Sequence, residues 1–182
     1  MKKVALIIID MLNDFVRKGA PLEVPATRGI ITPIKQLLTK MRKKHLPVIF
    51  ICDQHKRDDI EFRRMGWPPH AIKDTEGAQI IKELKPHPNE IIIPKTTYSG
   101  FYNTRLEETL RELNVTHLIV TGCVTHICIL FTVADAVMRS FYVYVPKDCV
   151  AGLTPESHAF ALKLMQDVLA VEIKESSKEL II

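Results

Sequence analysis

Three residues far apart in the chain, Asp10, Lys95 and Cys128, supply a base, a cation and a thiol. Each follows a short apolar run. Asp10 closes VALIIID, Lys95 closes IIIPK, and Cys128 stands a few residues beyond LIVTG, where a helix is expected to begin. In an open α/β sheet, ligands bind outside the carboxyl ends of the parallel strands. Taken alone, Asp10 reads as a cap or turn residue and Lys95 as a surface lysine; meeting in one crevice, the three read as a reactive set. A carboxylate beside a thiol can take its proton, and a nearby ammonium steadies both anions, which is what acyl transfer requires. A thiol at a helix N-terminus gains thiolate character, and the free N–H groups there can bind an oxyanion. Cys52, Cys123 and Cys149 read instead as packing residues, the usual fate of a free cysteine.

A second set follows the second apolar run: Asp53-Gln54-His55, then His70 after Trp67-Pro68-Pro69. An Asp-x-His pair leaving a strand end, with a later histidine from the same loop, suits a divalent cation. Zn²⁺ accepts imidazole and carboxylate and keeps positions open for water or substrate. Asp58, Asp59 and Glu61 read as solvated loop charges, and His45, His87, His117 and His158 as surface or hydrogen-bonding residues. No G-x-S-x-G elbow, phosphate-binding loop or G-x-G-x-x-G run is present to support a serine hydrolase or a nucleotide-binding protein.

These groups need a scaffold that carries them to one edge. Apolar, β-branched-rich runs occur at 4–10, 47–53, 90–95, 117–122, 142–146 and 168–173. Several are apolar nearly throughout, as parallel strands covered on both faces must be. Ile30, Ile31, Ile34, Leu37, Leu38 and Met41 recur at helical spacing, with Pro33 placed in the first turn. Helices are also expected over 78–84 and 104–113, over 128–138 in the interior, and from the cap Thr154 with Pro155 toward Met165. The regular alternation predicts one α/β domain over 1–182, a three-layer α/β/α sandwich around a six-stranded, mainly parallel sheet. The longest irregular stretch, 54–75, is too polar for core, and loops of that length commonly carry function.

Composition narrows the setting. The 182 residues are 47% apolar and 25% charged with a formal charge of +4, which is ordinary for a globular domain. The densest basic run, Arg42-Lys43-Lys44, falls at a helix end, where cations suit the dipole, so no nucleic-acid partner is expected. Lys2 and Lys3 precede only a short apolar stretch, and no run approaches the ~20 residues that span a bilayer. Four cysteines without a C-x-x-C pair point to a reducing, cytoplasmic location with no membrane partner.

Five segments together resemble the isochorismatase-like cysteine hydrolases, which include nicotinamidases and N-carbamoylsarcosine amidases. They are Ile9-Asp10-Met11-Leu12-Asn13-Asp14-Phe15, Asp53-Gln54-His55, Trp67-Pro68-Pro69-His70, Lys95 through Phe101, and Gly122-Cys-Val-Thr125-His-Ile-Cys128. The resemblance implies a triad of Asp10, Lys95 and Cys128, and a cis peptide at Cys123–Val124 that places the Val124 N–H beside that of Cys128 as an oxyanion hole. It further implies a metal on Asp53, His55 and His70, with Zn²⁺ first and Fe²⁺ or Mn²⁺ as alternatives. Phe15 and Trp67 would sandwich a substrate ring, with Tyr98 beside them. The implied activity is cleavage of a small carboxamide with release of ammonia, nicotinamide to nicotinate first, in a homo-oligomer. Three departures bear on substrate: Leu12 stands where nicotinamidases commonly have glutamine, the metal loop is short, and the interval from Lys95 to Tyr98 is compact. The last is similar to the carbamoylsarcosine-amidase side, so a ureido or carbamoyl amidase is the alternative activity, and an idle binding domain the non-enzymatic one.

Overall fold

The computed structural model describes residues 3–177; Met1, Lys2 and 178–182, the ends of the expected domain, lie outside the described residues. β1 (Val4–Ile9), β2 (Val48–Asp53), β3 (Ile91–Lys95), β4 (His117–Cys123), β5 (Tyr142–Pro146) and β7 (Glu172–Lys174) pair in the order β3-β2-β1-β4-β5-β7. Every pairing is parallel, and a two-residue strand, β6 (Val150–Ala151), adds to the end of β4. The sheet thus has the expected six strands and one short addition.

Alternation within the strands divides the core in two, because successive side chains point to opposite faces. Leu6, Ile8 and Phe50 pack with Ile30, Ile34, Leu37, Leu38 and Met41 of α2 (Thr27–Lys43). Ile7, Ile9, Ile49 and Ile51 pack on the other face, against α4 (Leu106–Glu112), α5 (Leu130–Met138) and α6 (Pro155–Leu169). β1 and β2 are buried along their whole length, which is why they carry no polar residue before their last positions.

Several expected elements shift. Pro33 lies in the interior of α2, since the helix starts at Thr27, so one backbone hydrogen bond is forfeited. The apolar stripe of that helix outweighs the loss. Residues 78–84 form no α-helix: two 3₁₀ turns, Glu76–Ala78 and Lys82–Leu84, flank a link that is zipped to the end of β1. There Asn13 donates to the Gln79 carbonyl and Ile81 to that of Met11. Seven residues are too few to nucleate a helix against such competition. Val168 and Leu169 close α6 rather than open a strand, and Ala170 in the left-handed region turns the chain into β7. The capping of α6 is as expected, with Thr154 Oγ1 accepting the Ser157 N–H at 3.2 Å.

The stretch after β2 is more ordered than its polarity suggests. It contains α3 (Ile60–Met65), and buries His55, Phe62 and His70. The segment expected as a buried helix from Cys128 is two pieces: a π-type turn, Thr125–Ile129, and α5, whose Phe131 and Met138 are 49% and 72% exposed.

Candidate active site

β1, β2 and β3 run in parallel register, so their ends deliver Asp10, Asp53 and Lys95 to one level of the sheet; Asp53 and Lys95 are direct neighbours across the ladder. Asp10 follows β1 in the left-handed region (φ 52°), anchored by its N–H to the Ile51 carbonyl. β4 ends one strand over. Gly122 has φ 111°, and a Cβ there would lie 1.9 Å from the Ile9 carbonyl oxygen, so only glycine lets β4 pass this close to β1. The Cys123–Val124 peptide is cis, as the resemblance implied. The π-type turn that follows carries Cys128; both Ile127 and Ile129 donate to the Val124 carbonyl.

The three reactive groups meet. Lys95 Nζ is 2.8 Å from Asp10 Oδ2 and 3.5 Å from Cys128 Sγ, and it also pairs with Asp53 Oδ1. Asp10 Oδ1 accepts the Asp53 backbone N–H at 2.8 Å. A carboxylate oxygen of Asp10, one of Asp53 and the Cys128 sulfur lie within 4.8 Å of one another. The ammonium, 2% exposed, is therefore matched by two buried carboxylates.

Burial and the charge of Asp53 push Asp10 up to about 6, with Lys95 pulling the other way. Burial would lower Lys95, but Asp10 and Asp53 outweigh it and hold the ammonium well above its ordinary range. Burial would raise Asp53, and Lys95 overcomes that to hold it below the usual carboxylate range. Burial pushes the Cys128 thiol well up despite Lys95. The thiolate character expected of a helix N-terminus is thus overridden by desolvation: the resting group is the thiol, and a base must take its proton as it attacks.

Asp53, His55 and His70 offer ligand atoms that all lie within 4.8 Å of one another. His55 Nε2 is buried with no hydrogen-bond partner, while its Nδ1 is 3.1 Å from Asp59 Oδ2. His70 Nδ1 is held 2.9 Å from the Pro68 carbonyl, which turns its Nε2 inward. Burial lowers His55, but the hydrogen bond and charge of Asp53 outweigh it and raise the imidazole to about 9. A divalent cation would replace that proton. Two imidazoles oriented through their outer nitrogens, one carboxylate and an orphaned inner nitrogen fit such an ion. Asp53 belongs to both sets, with one oxygen on Lys95 and the other 3.7 Å from His55 Nε2.

A cavity of about 450 Å³, part of it open to solvent, is lined by Asp10, Asp53, Cys128, Phe15, Trp67 and Tyr98, among others. Aromatic contacts run along its wall: Phe15–His70 at 5.4 Å, Trp67–His70 at 6.1 Å and Trp67–Tyr98 at 6.3 Å between ring centroids. Its size suits a small ligand.

Two functional neighbours were misjudged as solvated charges. Asp59 caps α3 through the Glu61 N–H and orients His55. Glu61 lines the cavity half-buried. The signal for Asp59 was present in the sequence, as an acidic residue just before Ile60-Glu61-Phe62 and four after His55. Nothing local distinguished Glu61.

A thiol, a base, a matched ammonium and a cation site in one aromatic-walled cavity define a cysteine-hydrolase centre on a parallel α/β sheet. The family follows from comparison. Residues 4–175 match the model of the isochorismatase domain, and the chain belongs to that family of hydrolases. An uncharacterized isochorismatase family protein of Bacillus subtilis is 33% identical over 93% of this chain and 92% of its own length. Among solved structures, the nicotinamidase/pyrazinamidase of Bacillus subtilis has a TM-score of 0.89 at 33% identity, covering 95% of this chain and 100% of that one. N-carbamoylsarcosine amidase of Thermoplasma acidophilum has 0.88 at 30%, covering 97% and 98%. A Pyrococcus horikoshii pyrazinamidase solved with zinc has 0.89 at 31%, covering 95% and 99%.

Proposed function

We propose that this hydrolase cleaves a small carboxamide through a thioester on Cys128, releasing ammonia. The observation that carries it is the contact of one buried ammonium, Lys95, with Asp10 and with the Cys128 sulfur. Asp10 takes the Cys128 proton as the sulfur attacks the carbonyl carbon, and the developing oxyanion is received by the N–H groups of Val124 and Cys128. Asp10 then gives that proton to the departing nitrogen, so ammonia leaves and the acyl group stays on sulfur. Water, deprotonated by Asp10, hydrolyses the thioester to the carboxylic acid and restores the thiol. Lys95 holds Asp10 in place and offsets negative charge through both halves.

Asp53, His55 and His70 would hold a divalent cation, Zn²⁺ first, which when bound supplies a Lewis acid for a substrate ring nitrogen or a water. Phe15 and Trp67 form the slot for a flat ring with Tyr98 at its mouth, which favours nicotinamide or a similar heteroaromatic amide. The compact interval from Lys95 to Tyr98 favours the second reading, an N-carbamoyl or other ureido substrate. We also propose a single domain over 1–182 acting as a homo-oligomer in the cytoplasm. Among the described residues no helix is long and apolar enough to cross a membrane. Ammonia release measured with nicotinamide, pyrazinamide and N-carbamoyl amino acids tests the substrate. Turnover of the heteroaromatic amides is expected, and turnover of the carbamoyl compounds alone would overturn it.

A further inference from the structure

The wall around the nucleophile is asymmetric in charge. Three carboxylates line the cavity, those of Asp10, Asp53 and Glu61, and among the described lining residues none is lysine or arginine. Lys95 lies behind the wall, already committed to Asp10 and Asp53. Arg64, whose charge is felt by Tyr98, is exposed and stands outside the lining. Glu61 sits in the first turn of α3, and the charges that act on it are those of Asp53, His55, Lys95 and Asp59. The remaining lining is aromatic or aliphatic, Val24, Ile127 and Leu153 included, and offers an anion nothing to pair with.

We propose that this cavity selects uncharged carboxamides over amides that carry a carboxylate, and that Glu61 is the specificity-determining residue. The inference rests on the amidase reading above and decides between its two substrate classes. An N-carbamoyl amino acid brings a carboxylate into a site that already holds three, whereas a heteroaromatic amide brings none. Like charges brought together in a confined site oppose binding, and a low-dielectric wall strengthens the effect. The same field acts on the product. Hydrolysis turns a neutral amide into an anion at the same place, so the acid is weakly held and leaves readily.

An isosteric pair of alkylating agents reads this selectivity without knowledge of the substrate. Iodoacetamide is neutral and iodoacetate anionic; with either, a sulfur–carbon bond forms, the carbon–iodine bond breaks, and iodide and the thiol proton are released. Rates at the Cys128 peptide are followed by mass spectrometry on the whole protein with zinc in excess, and divided by the rates of mercaptoethanol. The neutral reagent is expected to be favoured at Cys128 by about tenfold more than at mercaptoethanol. Glu61→Gln is expected to lower that preference by about threefold or more, and Glu61→Asp to retain it. A preference equal to that of mercaptoethanol, or one insensitive to Glu61→Gln, overturns the selectivity while leaving the amidase reading intact. Failure of Cys128 to react with either reagent overturns the amidase reading itself.

Discussion

Replacing Lys95 by methionine keeps most of the side-chain volume and removes only the charge. The ammonium is 2% exposed and contacts Asp10 at 2.8 Å and Asp53 as well, so the variant leaves two buried carboxylates within 4.8 Å of each other with no cation between them. Breaking a buried pair by removing one partner costs about 3–5 kcal/mol, because the remaining charge is uncompensated. Two carboxylates sharing the vacancy put Lys95→Met at the upper end, around 5 kcal/mol, partly relieved when Asp10, already pushed up to about 6, takes a proton. Adding Asp10→Asn removes one of the two charges, so the double variant is expected to recover about 2 kcal/mol over Lys95→Met alone. Urea unfolding in chelator-treated buffer measures both. A loss below about 1 kcal/mol for Lys95→Met, or a double variant no more stable than the single, would refute the matched-charge account of the centre.

Other expectations follow from separate parts of the structure. Gly122→Ala forces a Cβ to 1.9 Å from the Ile9 carbonyl and should cost upwards of about 3 kcal/mol in thermal or urea unfolding, whereas Gly29→Ala, with open space around it, should be near neutral or stabilising. His55→Ala should abolish stoichiometric zinc binding by emission spectroscopy, and Asp59→Ala should weaken it about tenfold by freeing the imidazole from its orienting hydrogen bond. Arg42 donates to both oxygens of Glu90 at 2.7 Å. Burial would raise Glu90, but Arg42 outweighs it and holds the carboxyl below its ordinary value of 4.5. A depressed carboxyl contributes stability that is fully present above pH 4.5 and lost as pH falls through its lower folded value. Glu90→Gln should therefore cost about 1 kcal/mol at pH 7, and the difference from wild type should vanish in acid; a gap that persists at low pH would refute the pairing.

The strands were legible because β1 and β2 are buried on both faces and can carry nothing but apolar residues until their ends. That same rule exposed Asp10, Asp53 and Lys95, since a charge closing such a run must have a reason to be there. Cys128 was found by its distance from β4, but its protonation was not, because the desolvation that keeps it a thiol comes from chain segments far away. The 78–84 segment misled for a similar cause: its pattern is helical, yet its backbone is claimed by Met11 and Asn13 across a long sequence gap. Asp59 and Glu61 looked solvated because polarity alone does not reveal that Phe62, His55 and His70 fold the loop over the site. Phe131 and Met138 mark the converse, apolar residues of α5 that the core does not cover.

Whether Cys128 bonds to the acyl group is tested most directly by acid quenching during turnover of a carboxamide, followed by mass analysis of the Cys128 peptide. The expected result is a transient mass increase equal to the acyl group in the wild type, with neither adduct nor ammonia from Cys128→Ala. Steady ammonia release by Cys128→Ala would contradict the account.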